Sequence, residues 1–137
     1  MNKQHVNPPQ LGAAPRNYSH AVTLAGPAKL VYVSGQIALG ADGKVVGKGD
    51  MRRQCEQVFE NLAAVLRASG AGWGDVIKMN AYMVGMTDEN VAAFREVRSR
   101  FLKSGPPPAS TFVGVQRLVN AELLIEVEVV AALSSQI

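Results

Sequence analysis

Cysteine occurs once in this sequence and histidine twice. The lone Cys55 has no partner for an internal disulfide, and with only His5 and His20 there is no cluster spaced for zinc or another soft metal. No metal cofactor is expected. An apolar start is missing as well: Met1 to Pro9 is polar and holds two prolines, which argues against a secretory signal and against a membrane span. A cytoplasmic location is the expectation that follows. Clustered positive charge is also lacking. The formal net charge is +3, but the basic residues are scattered, whereas binding to a phosphate backbone needs them concentrated. The densest group, Arg95, Arg98, Arg100 and Lys103, falls on an expected helix without interleaved exposed aromatics and reads as a solvated face, so no nucleic-acid partner is expected. The sequence contains no Gly-x-Ser-x-Gly elbow and no triad pattern, which leaves its serines without the setting of an activated nucleophile.

What remains is a chain of 137 residues, 47% hydrophobic and 18% charged, enough for one domain spanning residues 1–137 with an ordinary core. Ala21 to Ala25 and Leu30 to Ile37 are β-prone runs separated by Gly26-Pro27, a hairpin signal. Asp50 can cap a helix that runs to about Ser69, with Cys55, Val58, Phe59, Leu62 and Leu66 at helical spacing and Gly70 as the stop. That spacing makes Cys55 a core residue. Val76 to Val84 alternates as a strand. A second helix from about Glu89 to Lys103 directs Val91, Phe94, Val97 and Phe101 toward the sheet, and Gly105 with Pro106 to Pro108 ends it. Strands near Ala109 to Gln116 and Glu122 to Ala132 complete an α+β order of ββαβαββ, whose two helices can cover only one face of the sheet.

The last strand carries the most chemistry. Alternation sends Leu123, Ile125, Val127 and Val129 to one face and Leu124, Glu126, Glu128 and Val130 to the other. So apolar a strand does not belong wholly in water, and its acidic face can border a partner strand, a subunit interface, a ligand cleft or solvent. Extending the alternation places Val31, Val33, Ile77, Met79, Ala81, Met83, Val113, Val115, Ile125 and Val127 under the helices. Tyr32, Ser34, Gln36, Lys78, Asn80, Tyr82, Phe112, Gln116, Glu126 and Glu128 then share the opposite face. A surface of aromatics, amides and paired carboxylates fits a homo-oligomer interface or a ligand wall.

In order and spacing, Tyr18-Ser19-His20-Ala21-Val22, Val33-Ser34-Gly35-Gln36-Ile37, Asn61-Leu62, Asp75-Val76-Ile77-Lys78, Pro108-Ala109-Ser110 and Ile125-Glu126-Val127-Glu128 together resemble the RidA/YjgF family, the reactive intermediate deaminases. The resemblance implies a chorismate-mutase-like fold with a six-stranded sheet, a homotrimer, and small-molecule sites in clefts between subunits. It implies hydrolysis of enamines and imines such as 2-aminoacrylate and 2-iminopropionate without metal or organic cofactor. It matches Glu126 to a glutamate that positions the attacking water, Tyr18 to a pocket tyrosine, and Ser34-Gly35 to the segment bordering the site. One match fails. Where the family places an arginine that holds the substrate carboxylate, in a Pro-Ala-Arg-Ser context, this chain has Ser110, and Phe112 stands where a cysteine is frequent. A family asparagine of the second helix falls at Arg95, a candidate replacement charge. Glu128 is left a structural or electrostatic role, and both glutamates can alternatively pair with Lys78 or Arg117 at a trimer interface. The functional expectation is a deaminase of a small imine, enamine or related nitrogen compound other than 2-iminopropionate. The alternatives are a non-catalytic metabolite-binding trimer and, disfavoured by the scattered charge, RNA binding.

Overall fold

The computed structural model describes residues 1–103 and 105–135. Six strands and two long helices run in the order β1 (Asn2–Val6), β2 (Ala21–Ala25), β3 (Ala28–Gln36), α1 (Met51–Ala68), β4 (Val76–Val84), α2 (Asp88–Phe101), β5 (Ala109–Val115) and β6 (Ile125–Ser134). Strands β3, β6, β4 and β5 form a mixed four-stranded sheet in that spatial order, and β1 and β2 form a separate antiparallel ribbon. The fold is α+β with helices over one face, as expected, but three expectations need correction. The six strands are divided between two sheets rather than joined in one, with a single parallel bridge between Ser19 and Ala109 as the link from the ribbon's entry to β5. The polar start is itself a strand. And Gly26-Pro27 makes no hairpin, because β2 pairs with β1 and β3 pairs with β6; the turn, with Gly26 at φ 90°, carries the chain from ribbon to sheet.

Local signals account for the helices. The Asp50 side chain accepts from the Arg53 amide at 3.0 Å and Thr87 from that of Asn90 at 3.1 Å, each satisfying a free N–H of a first turn. Among the described residues no helix is long and apolar enough to cross a membrane. The apolar stripe of α1 buries Cys55, Val58, Phe59, Leu62 and Leu66 against Met79, Ala81, Met83, Ile125, Val127 and Val129 of the sheet. Phe59 joins the helices, its ring centroid 5.7 Å from Phe94 and 5.3 Å from Phe101. Cys55 is fully buried, and burial pushes its thiol up to about 12, which fits a core residue rather than a nucleophile.

Two amides of α1 tie the loops to this core. Asn61 Nδ2 donates to the carbonyls of Ile37 and Leu39 at 3.0 and 2.9 Å, fixing the exit of β3. Gln54 has no exposed surface; its Nε2 donates to Gly47 O and Glu122 O at 3.1 and 2.9 Å, and its Oε1 accepts from the Leu124 amide at 2.8 Å. Gln54 thus ties the segment Glu122–Leu124 to α1 just ahead of β6, which begins at Ile125 rather than at Glu122. Leaving a buried polar group unmade costs about 1–3 kcal/mol. Gln54→Met, which keeps the volume and removes all three bonds, is expected to lower unfolding stability by at least about 2 kcal/mol, read as a lower urea midpoint at unchanged slope.

Candidate functional site

Strand β6 lies between β3 and β4 and pairs with both. Its alternation is as the sequence indicates: Ile125, Val127 and Val129 are buried under the helices, while Glu126 and Glu128 point to the uncovered face and are half-buried. Opposite Glu128, β3 carries one residue too many. Val33 pairs with Val129 and Gln36 with Val127, so Ser34 and Gly35 share the interval of a single β6 residue. Such a bulge re-aims the backbone locally. Here it brings Gly35 beneath the Glu126 side chain: a Cβ at position 35 would lie 2.7 Å from Cδ and 2.9 Å from Cγ of Glu126 and would collide with Oε2 as well. A side chain at position 35 would push the Glu126 carboxylate aside, so the glycine keeps this seat open through the close approach and not through its torsion angles.

Glu128 is engaged otherwise. It faces Asn80 across β4 and accepts from Tyr82 Oη at 2.5 Å and from Asn80 Nδ2 at 3.3 Å. Lys78, one of the cations expected as a partner, donates instead to Thr111 Oγ1 at 3.1 Å, and Arg117 donates to the Leu118 carbonyl. Beside Glu128 the uncovered face holds a depression of about 250 Å³ bordered by Tyr32, Ser34, Lys78 and Asn80. Tyr32 is 76% exposed there, with Leu30 and Val113 also open.

Tyr18, Ser110 and Phe112 lie elsewhere. Strand β5 runs parallel to β4 with Met79 opposite Ser110 and Ala81 opposite Phe112. That register turns Ser110 and Phe112 to the helix side, and Phe112 stacks on Phe94 with centroids 4.5 Å apart. The expected assignment of Phe112 to the Glu126 face and of Val113 to the core is therefore reversed, since a one-residue slip in a strand exchanges its faces. A smaller displacement affects β4, where a register irregularity between Val76 and Lys78 gives Val76 rather than Ile77 the fully buried position. Tyr18 reaches Ser110 because the chain around Ser19 is strapped to the start of β5: the Ser19 amide donates to Pro108 O at 3.0 Å and its hydroxyl to Pro107 O at 2.6 Å. Together Asn17, Tyr18, Phe94, Arg95, Arg98, Ser110 and Phe112 enclose a cavity of about 160 Å³.

The basic helix face divides. Arg100 pairs with Glu96 at 2.9 Å, and Arg52 of α1 reaches the same carboxylate. Arg95 is exposed at the cavity's rim. Arg98 corrects the expectation of a solvated residue: it is only 8% exposed, and among the described residues its Nε and Nη2 have no hydrogen-bond partner. Its spacing from Phe94 and Phe101 puts it on the apolar side of α2, a signal present in the sequence but masked by its charge. Burial first, and Arg95 second, pull its pKa below the usual arginine value. Among the described residues no group of three or more His, Cys, Asp or Glu is placed to hold a metal ion.

Residues 10–133 match the family model described as Endoribonuclease L-PSP. The chain belongs to that family, the RidA/YjgF family. A 2-iminobutanoate/2-iminopropanoate deaminase of Dermatophagoides farinae is 38% identical over 110 residues, covering 80% of this chain and 81% of that protein. A RutC family protein of Synechocystis is 31% identical over 134 residues, 97% and 98% of the two chains. The crystal structure of a Rid-family protein from Yersinia pestis superposes with a TM-score of 0.85 at 38% identity, covering 97% of this chain and 100% of the other. The residues expected at the site fall into two groups in the structure. Glu126, Gly35 and Ser34 lie on the uncovered face; Tyr18, Ser110 and Phe112 lie across the sheet, on its helix side beside β5.

One property of the uncovered face is directly measurable. The hydrogen bond to Glu128, followed by burial and the nearby carboxylates, raises the Tyr82 pKa above its ordinary value near 10. The neutral phenol is the favoured form in the folded protein, so this stabilisation is complete below pH 10 and is lost as pH rises through the raised value. An ultraviolet titration should show one tyrosine ionising later than the others, and Tyr82→Phe should remove that late step.

Proposed function

We propose that this RidA/YjgF-family protein is a hydrolytic deaminase of a small imine or enamine, working in clefts between the subunits of a homotrimer, with Glu126 guiding the attacking water. The observation that carries the proposal is the seat of the Glu126 carboxylate directly over the bulged backbone of Ser34-Gly35, in a chain 38% identical to a protein named 2-iminobutanoate/2-iminopropanoate deaminase. The division of the two groups supports the assembly. Ser110 and Glu126 are two strands apart and on opposite faces of one sheet, so a ligand touching both needs the uncovered face of one copy against the β5 edge of another. The exposed Tyr32, Leu30 and Val113 give that face the aromatic and aliphatic character of a protein contact.

The chemistry asks little of the protein. An enamine becomes an imine by taking a proton on carbon. Water then adds to the imine carbon; Glu126 accepts the water's proton or orients its lone pair, and the nitrogen is protonated to give a carbinolamine. Collapse of that intermediate forms the C=O bond and expels ammonia. Gly35 matters because any side chain there displaces the carboxylate. Tyr18, Ser110 and Phe112 shape the wall that fixes the substrate body, and no cofactor enters the scheme.

Ser110 bears on the substrate. A charge-assisted hydrogen bond contributes about 1.5–3 kcal/mol, and an arginine fork grips a carboxylate with two. A serine hydroxyl offers one neutral bond. Turnover of 2-iminopropionate is therefore expected to be weaker than in arginine-bearing relatives by roughly tenfold to a hundredfold. The same replacement favours a second reading, a trimer that binds a metabolite without converting it. Wild type, Glu126→Gln and Ser110→Arg, screened against a panel of imines and enamines for ammonia release, separate the two. The deaminase reading expects the wild type to act on at least one member, Glu126→Gln to lose that activity, and Ser110→Arg to gain on 2-iminopropionate. Silence from the wild type and both variants contradicts it.

A further inference from the structure

We infer that the cavity between β1, the turn at Trp73–Asp75 and the prolines ahead of β5 is a second ligand site, which takes an aromatic monocarboxylate and holds its carboxylate on Lys3. Its volume is about 530 Å³, against about 160 Å³ for the cavity beside Ser110, and falls in the range of sites that enclose a small organic molecule. Strand β1 is tied to two of its walls. Alternation turns Lys3 and His5 to the half-buried face of the ribbon. Lys3 Nζ donates to Gly74 O at 2.6 Å, and His5 Nδ1 lies 3.0 Å from Pro107 O. A carbonyl only accepts, so Nδ1 carries the proton in that contact and is spent on holding the strand.

Lys3 sets the sign of the charge. The bond to Gly74 fixes its ammonium at the cavity wall and uses one of three donors. The ion pairs of the molecule engage Lys48, Arg52, Arg53 and Arg100; among the described residues none engages Lys3, and no acidic residue borders the cavity. The other walls set the body of the ligand. Trp73, Val76, Leu102 and Pro106 to Pro108 line them. The indole is held by Phe59 and Phe101, with ring centroids 5.5 and 5.7 Å away, and the prolines offer rings and carbonyls but no N–H. A flat apolar ring fits against such surfaces while its carboxylate takes a charge-assisted bond from the ammonium. An inorganic phosphate has no apolar part to set against them, and an amine meets a like charge. Because Tyr18, Ser34, Gly35, Ser110, Phe112 and Glu126 all lie outside this lining, the site stands apart from the proposed deaminase cleft.

Trp73 is the one tryptophan of the chain, so its fluorescence, excited beyond the tyrosine absorption, reports on this cavity. The probes are 3-phenylpropionate and 3-phenylpropionamide, which share a ring and differ in charge. With the full chain, the carboxylate is expected to give a saturable change at concentrations about tenfold lower than the amide, the scale of one charge-assisted bond. Lys3→Gln, which keeps a donor for Gly74 O and drops the charge, should bring the two probes together, and Lys3→Arg should keep them apart. Lys3→Met, equally uncharged, takes the place of the glutamine variant if that does not fold. Arg67 borders a separate recess of about 340 Å³ on the other flank of the indole, and Arg67→Gln should leave the preference unchanged. The inference is overturned if the indole responds to neither probe, if wild type binds the two equally, if the preference survives in the uncharged Lys3 variants, or if Arg67→Gln removes it. Turnover has no part in this readout, so silence in the deaminase screen and failure of this site are separate results.

Discussion

Strand β6 is bonded on both edges, and its residues must answer to two different environments. Its inner face closes the core with Ile125, Val127 and Val129 under α1 and α2. With both helices committed to that side, no helix among the described residues covers the outer face, where Glu126 and Glu128 stand. The arrangement of the outer face follows from this one-sided cover. The bulge in β3 lets Gly35 pass beneath one carboxylate, while Tyr82 and Asn80 hold the other. Gln54 anchors the entry to β6 on α1, and the register with β3 and β4 sets where both acids lie along the sheet.

The two glutamates are chemically unequal despite their spacing. Glu128 is held by a short bond from Tyr82 and a longer one from Asn80, which suits a residue that organises a surface. Glu126 rests over a backbone cleared of side chains, with its oxygens directed into space that Gly35 keeps open. That difference, and not the count of carboxylates, is what makes Glu126 the candidate to guide water. Across the sheet the charge is reversed: Arg95 and Arg98 gather beside Ser110. An acid on one face and two arginines on the helix side of the opposite edge form complementary surfaces for copies of one chain or for a ligand that touches both.

The helices, the Asp50 cap and the central strands were legible in the sequence because each is fixed by local pattern: Asp50 and Gly70 bracket α1, and the alternation of Leu123 to Val130 fixes the faces of β6. Local pattern gave no access to partners. The β1 segment, Asn-Lys-Gln-His-Val, is too polar to read as a strand, and it pairs with β2 from across an intervening loop. The faces of β5 depend on its register against β4, which only the packed sheet supplies, and Phe112 was misplaced for that reason. Arg98 was missed differently. Its helical position between Phe94 and Phe101 indicates burial, but a charged residue is read as solvated by default.

The account turns on a cleft completed between copies of the chain, and a crystal structure of the assembled protein tests it most directly. The predicted result is a homotrimer in which Glu126 and Gly35 of one subunit face Tyr18, Ser110 and Arg98 of its neighbour across a single cleft. A monomer in the crystal and in solution, or an assembly that leaves Glu126 in open solvent and the Arg98 cavity sealed, would contradict it.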